Sequence, residues 1–206
     1  PLERELLLRA AININLHQYP DLELLQEKLA ALVGKPKGTI NITSGVDGAI
    51  RDIIDVFCSP GDCITYLTPC YMMYRMYGKA YDLECAEISC DENLRYDFGK
   101  ILEVIKAKKP KIFFLTNPHS PIDHSLNESE FSELIKVTEV NGTIIFVDEA
   151  YHHFGAPSFI DFVSLCARVV IGRTFSKAYG LPSIRLGFIH ANNVISDLLT
   201  SRRLAY

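Results

Sequence analysis

The feature that most constrains this chain is the regular recurrence of short apolar segments, at 40–43, 63–67, 83–88, 112–116, 143–148, 169–174 and 186–190. Each has the length of a strand, and stretches such as Ile112-Phe113-Phe114-Leu115 and Ile144-Ile145-Phe146-Val147 offer no polar face to water. Such runs read as strands buried on both sides. Helix candidates lie between them at 47–57, 71–80, 98–108 and 128–140, with 194–204 after the last strand. An amphipathic stretch at 22–32 precedes the first strand; Gly34 serves as its stop and Lys35-Pro36-Lys37-Gly38 as the following loop. No internal repeat or low-complexity linker divides the chain. The alternation predicts an α/β domain with a mostly parallel seven-stranded sheet covered on both faces. In such sheets ligands lie outside the carboxyl ends of the strands, so the residues after each apolar run are the candidate site.

Composition narrows the function classes. The 206 residues are 48% hydrophobic and 22% charged, enough to build one sizeable core and unlike a disordered chain. Lys plus Arg number 21 against 25 Asp plus Glu, a net charge of −4 that leaves no basic excess for nucleic acid or an anionic membrane. The apolar runs fall far short of the roughly 20 residues of a membrane-spanning helix. The start, Pro1-Leu2-Glu3-Arg4, has no basic-then-apolar leader. Cys58, Cys63, Cys70, Cys85, Cys90 and Cys166 form no CxxC pair and lack histidines at zinc-finger spacing, so they read as free thiols of a cytoplasmic protein. The sequons at Asn41, Asn127 and Asn141 are then chance matches.

Four strand ends carry chemistry. After 40–43 comes Ser44-Gly45-Val46-Asp47-Gly48, a glycine-bearing turn that opens into a helix; its free N–H groups form a natural anion cradle, although a tight strand-to-helix connection also uses glycine. It is neither a Walker A motif nor a full GxGxxG fingerprint. After 112–115 comes Thr116-Asn117-Pro118-His119-Ser120-Pro121, which could equally be a structural turn. After 144–147 comes Asp148-Glu149-Ala150-Tyr151, a carboxylate where a strand leaves the sheet, or simply a cap. After 169–171 comes Arg173-Thr174-Phe175-Ser176-Lys177-Ala178-Tyr179-Gly180, with Arg185 eight positions beyond Lys177, an amine nucleophile beside an anion site.

Together, in this order and spacing, these clusters resemble the large domain of the fold-type I pyridoxal-phosphate enzymes, the class I/II aminotransferases, with the histidinol-phosphate aminotransferases the nearest in look. The resemblance runs from Tyr19-Pro20 to Arg185-Leu186-Gly187-Phe188, and it implies the three-layer α/β/α large domain of that family and pyridoxal 5'-phosphate (PLP) as cofactor. It makes Lys177 the lysine that holds the cofactor as a Schiff base and moves the substrate proton, a task for a primary amine of lowered pKa. Asp148 would pair with the pyridinium nitrogen and keep the ring an electron sink. Tyr151 and Asn117 would bond the ring's 3' oxygen, and Tyr71 would stack on the ring. Without the resemblance, Tyr71, Tyr74 and Tyr77 read as the core stripe of a helix. The phosphate would be held by the backbone N–H groups of Val46 and Asp47, the hydroxyls of Thr174 and Ser176, and Arg185. Tyr19 would reach a partner's cofactor phosphate across a homodimer.

The implied reaction moves an amino group between an amino acid or amino-acid phosphate and a 2-oxo acid; a decarboxylase of the same fold and a non-catalytic PLP-binding module are the alternatives. His152-His153 suggest no metal, since adjacent side chains point apart, and read as surface or lid residues. Where the family has Asn-Pro-x-x-Pro-Thr-Gly, this chain reads Asn117-Pro118-His119-Ser120-Pro121-Ile122-Asp123, so the loop must avoid a conformation that demands glycine. Val46-Asp47-Gly48 replaces Ser-Asp-Glu and loses a hydroxyl. The expected organisation is an N-terminal helical segment at 1–18, a PLP-binding large domain at 19–193, and at 194–206 the start of a helix towards a small domain. The chain stops inside that helix without a capping signal, so it reads as truncated, lacking the substrate-clamping arginine and turning over little alone.

Overall fold

The computed structural model describes residues 2–12, 17 and 20–202. Its helices are α1 (Leu2–Ile12), α2 (Glu23–Val33), α3 (Gly45–Phe57), α4 (Met73–Ala80), α5 (Phe98–Lys108), α6 (Glu128–Asn141) and α7 (Asn193–Arg202). The strands are β1 (Ile40–Thr43), β2 (Cys63–Thr68), β3 (Glu84–Ser89), β4 (Ile112–Thr116), β5 (Ile144–Asp148), β6 (Val169–Thr174) and β7 (Gly187–His190). All seven expected strands form, within a residue of their expected bounds. The expected end of the last helix, at 203–204, lies outside the described residues.

Two helices start elsewhere than expected, for local reasons. α3 begins at Gly45, because the glycine turn itself is its first turn. α4 begins at Met73, which leaves Tyr71 in the loop before it rather than on the helix. α6 begins where expected on a reciprocal cap: Asn127 Oδ1 accepts from the Glu130 N–H at 3.0 Å, and the Glu130 carboxylate accepts from the Asn127 N–H at 2.9 Å.

The sheet order is β1-β7-β6-β5-β4-β2-β3. β3, β2, β4, β5 and β6 are parallel, while β7 runs antiparallel to both β6 and β1. Two reversals in succession return β1 to the direction of β6. Six carboxyl ends therefore lie along one edge, the place where an open α/β sheet takes its ligand.

The alternation of side chains along each strand divides the core into two layers. Ile112 and Phe114 of β4 and Ile144 and Phe146 of β5 pack with Ile50, Ile53 and Ile54 of α3, Tyr74 of α4, and Ile195 and Leu199 of α7. Phe113, Leu115, Ile145 and Val147 face the other way, onto Ile101 and Ile105 of α5 and Phe131 and Leu134 of α6. Leu29 and Ala30 of α2 close over Ile40 and Phe188 at the β1–β7 end. Among the described residues no helix is long and apolar enough to cross a membrane.

At the start of β7 the sheet and the turn after β1 meet backbone to backbone. A Cβ on Gly187, the first residue of β7, would stand 2.6 Å from the Gly45 Cα and 2.6 Å from the Arg173 carbonyl oxygen. Only a glycine lets the turn after β1 lie against the start of β7 and the end of β6. Gly187→Ala is expected to cost at least the roughly 1–3 kcal/mol of an overpacked core, read as a lower urea midpoint at unchanged m-value.

Candidate active site

Along the shared carboxyl edge opens a cavity of about 320 Å³. Its walls include Val46 and Asp47 from the start of α3, Tyr71 from the loop before α4, and Thr116 and Asp148 from the last positions of β4 and β5. Tyr151, Thr174, Ser176, Lys177 and Arg185 complete them. Nine of the residues singled out in the sequence thus converge from four connections spread over 140 positions. A larger cavity of about 560 Å³ by β1, α3 and α7 is lined by Asn41, Arg51 and Leu199 and gathers none of these groups.

Asp148 is 3% exposed and is the charged group set deepest in the cavity wall. Its Oδ2 accepts from the Tyr74 hydroxyl at 2.7 Å and its Oδ1 from the Ala150 N–H at 3.0 Å. Burial pushes its pKa from the ordinary 3.8 up to about 6; the Tyr74 and Ala150 donors and the Lys177 charge pull the other way, and Glu149 adds to the rise.

The same cavity holds an anion cradle. The first N–H groups of α3 have no acceptor within the helix and carry the positive end of its dipole. The Ser176 N–H donates to Thr174 Oγ1 at 3.2 Å, and the Thr174 hydroxyl donates to Ser176 Oγ at 3.0 Å. Arg185 reaches Ser176 Oγ at 3.5 Å and the Ser44 carbonyl at 3.4 Å. Its partners are neutral oxygens, so among the described residues no carboxylate compensates its charge. Gly45, at φ +67°, is open on this side: a Cβ there would stand 3.2 Å from Arg185 Nη2 and 3.5 Å from Thr174 Oγ1, filling the cradle.

Tyr71 is 44% exposed and faces the cavity, not the core. Its hydroxyl donates to Asp47 Oδ1 at 3.3 Å, while Tyr77 donates to Asp47 Oδ2 at 3.0 Å. Burial, then the Asp47 carboxylate, raise the Tyr77 pKa to about 12. The stripe reading therefore holds for Tyr74, which is fully buried, and fails for Tyr71. The Lys177 ammonium sits 5.1 Å from the centroid of the Tyr151 ring, within cation–π range.

Other expected residues are placed differently. Asn117 stands at the end of β4 as expected, but it is 1% exposed and does not line the cavity. Its amide donates to the Pro157 carbonyl at 2.7 Å, and its buried Oδ1 has no partner among the described residues. Tyr19 lies outside the described residues. His152 is half-buried beside Arg173 rather than on the surface, and burial pulls its pKa down to about 4. The loop after Pro121 closes without glycine: neither Ile122 nor Asp123 takes a positive φ, and the His119 N–H bonds the His124 carbonyl at 2.7 Å.

Sequence reasoning missed Tyr74, Thr116 and the Glu149–Arg173 pair. The Glu149 side chain is fully buried, and its Oε2 accepts from Arg173 Nε and Nη2 at 2.9 and 2.8 Å. Ser158 and the Phe159 N–H complete its partners. The adjacency of Asp148 and Glu149 was the available signal, since neighbouring residues leaving a strand face opposite ways.

The sequence profile described as Aminotransferase class I and II matches residues 3–206. The chain belongs to this family of aminotransferases. It is 34% identical over 198 residues to a histidinol-phosphate aminotransferase of Parabacteroides distasonis, covering 94% of this chain and 56% of that protein. A second, from Thermoanaerobacter pseudethanolicus, is 31% identical over 193 residues, covering 94% of this chain and 54% of that protein. The solved histidinol-phosphate aminotransferase of Sinorhizobium meliloti, in complex with pyridoxal-5'-phosphate, shares the fold with a TM-score of 0.81 at 22% identity, over 90% of this chain and 52% of that one. This aminotransferase-family chain spans about half the length of the curated relatives it matches. Membership implies PLP as cofactor, and the residues present fit it: an open cradle with an arginine for the phosphate, a buried carboxylate for the ring nitrogen, and a lysine in the same cavity.

The raised pKa of Asp148 has a sign. The folded protein binds a proton here between about pH 4 and 6 that the unfolded chain does not, so this group's contribution to stability rises as pH falls through that window. Buried His119 and His190 and half-buried His124 and His152, whose pKa values are lowered, act oppositely. Asp148→Asn is therefore expected to be the more stable cofactor-free protein at pH 8, by on the order of 2–3 kcal/mol, with the difference from wild type shrinking towards pH 4 in urea titrations.

Proposed function

We propose that this chain forms the cofactor-binding part of a PLP-dependent aminotransferase of the histidinol-phosphate aminotransferase kind. It would transfer an amino group between an amino acid or amino-acid phosphate and a 2-oxo acid. The observation that carries the reading is the convergence of Asp148, Lys177 and the Arg185 cradle on one cavity. Bound there, PLP supplies a carbonyl that condenses with amines and a ring that accepts electrons from the substrate Cα.

The chain's own residues do the rest. The first N–H groups of α3, the Thr174 and Ser176 hydroxyls and the Arg185 guanidinium would hold the phosphate, a dianion that needs several donors and a fixed cation. Asp148, charged above pH 6, would hold a proton on the ring nitrogen. Tyr71 would cover one ring face. Tyr151 would donate to the ring oxygen; Asn117, which does not line the cavity, bonds the Pro157 carbonyl instead. Lys177 Nζ would hold the cofactor at rest and afterwards carry the proton to and from the substrate Cα.

A homodimer belongs to the proposal. Tyr71, which lines the cavity, and Met72 and Met76, which follow it in sequence, are exposed apolar side chains of the kind a second copy covers. The six cysteines are free, in keeping with a cytoplasmic setting.

Mixing the protein with PLP is expected to give an absorption band that borohydride fixes onto Lys177 by peptide mapping; no band and no adduct would sink the reading. Lys177→Ala in the whole protein is expected to lower amino transfer by roughly 10²–10⁴-fold. Release of carbon dioxide in place of a 2-oxo acid product would favour the decarboxylase. Arg185→Gln is expected to weaken PLP binding by about 10- to 100-fold, the worth of a charge-assisted hydrogen bond, measured by equilibrium dialysis.

A further inference from the structure

The proposed chemistry uses Asp148 but leaves open why a tyrosine is buried behind it. Tyr74 is wholly inaccessible, its ring stacked on Phe114 at 4.9 Å and packed against Tyr66 at 5.7 Å. Phenylalanine would fill the same space without burying a hydroxyl, and a buried hydroxyl without partners costs stability. This one has two partners: Asp148 Oδ2 at 2.7 Å and Thr116 Oγ1 at 3.1 Å. A phenol has a single proton, and the shorter contact to the carboxylate claims it. The Thr116 hydroxyl then donates to the phenol oxygen, which gives a directed chain from Thr116 through Tyr74 to Asp148. With the Ala150 N–H on Oδ1, each carboxylate oxygen has a fixed donor and keeps a lone pair for a ligand.

We propose that Tyr74 is a positioning residue: its buried hydroxyl, itself held by Thr116, fixes the Asp148 carboxylate in the cavity wall for a protonated ring nitrogen. The role rests on the reading that Asp148 serves PLP. Two further facts support it. Burial and the neighbouring carboxylate hold the Tyr74 pKa well above its ordinary value, so the phenol remains a donor at every working pH. Tyr66, in the same aromatic stack, sends its hydroxyl to Glu87 at 3.0 Å, away from Asp148, which separates ring packing from hydroxyl chemistry. The other charges that act on Asp148, Glu149 and Lys177, are untouched by changes at Tyr74.

The test titrates PLP into wild type, Tyr74→Phe, Thr116→Val and Tyr66→Phe, and records affinity and the pH midpoint of the bound-cofactor absorption band. Far-UV circular dichroism and unfolding midpoints of the cofactor-free proteins accompany it. Tyr74→Phe is expected to bind PLP roughly tenfold more weakly, the worth of one hydrogen bond to a charged group. Its band midpoint is expected to move up, because a ring nitrogen held less firmly as a cation withdraws less charge from the linkage to Lys177. Thr116→Val should shift both readouts the same way by less, and Tyr66→Phe should shift neither. Should Tyr74→Phe fail to fold, Thr116→Val decides, and a wild-type response from it would overturn the proposal. Uptake of PLP by wild type with an indistinguishable, folded Tyr74→Phe overturns the role of Tyr74 alone. Failure of wild type itself to take up PLP overturns the parent reading and this one with it.

Discussion

The contact on which the rest depends is the one between Gly45 and Gly187, two residues without side chains pressed backbone to backbone. It lets β7 slip between β1 and β6 in the opposite direction, so that β1 and β6 end on the same edge and the first turn of α3 lies against Thr174. The anion cradle is a by-product of that packing. A side chain at Gly187 would force the turn and the strand apart, and one at Gly45 would crowd Arg185 and Thr174. Sterics thus set the site's geometry before any charge is considered, and Arg185, in the left-handed region at φ +56°, completes it at some cost in backbone energy.

Charge is managed by separation. Asp148 and Glu149 are adjacent and both buried, yet their surroundings differ. Glu149 receives a guanidinium, a hydroxyl and a backbone N–H, and so is satisfied within the protein. Among the described residues Asp148 receives only a phenol and one backbone N–H, which do not offset its burial, and its acidity is weakened. A buried carboxylate given less than it needs is a carboxylate awaiting a cation. The alternation of side chains at the end of β5 turns two neighbouring acids towards opposite faces of the sheet, one to hold the fold and one to meet a ligand.

Much of this was legible in the chain. The apolar runs marked all seven strands, because a strand covered on both faces has no choice but to be apolar, and the ends of those runs marked most of the cavity wall. What was not legible depended on pairing between distant segments. The antiparallel insertion of β7 leaves no trace in its own residues, since Gly187–His190 would suit either direction. Tyr74 carries the spacing of a core residue and is one; its second role lies in the last atom of its side chain, which local patterns do not place. Asn117 stands where expected, but its amide turns towards Pro157, an interaction set by a loop forty positions away.

The distance in sequence between the parts of the cradle has a consequence for how the molecule comes together. Arg185 meets the Ser44 carbonyl across 141 positions, and the groups between them arrive on every intervening strand but β3. Contacts of such long range are made late in folding, after loop-closure entropy has been met. A ligand that needs all of these groups together binds the assembled cavity and shifts the folding equilibrium by mass action. For a chain of this topology, ligand binding is a check that assembly is complete.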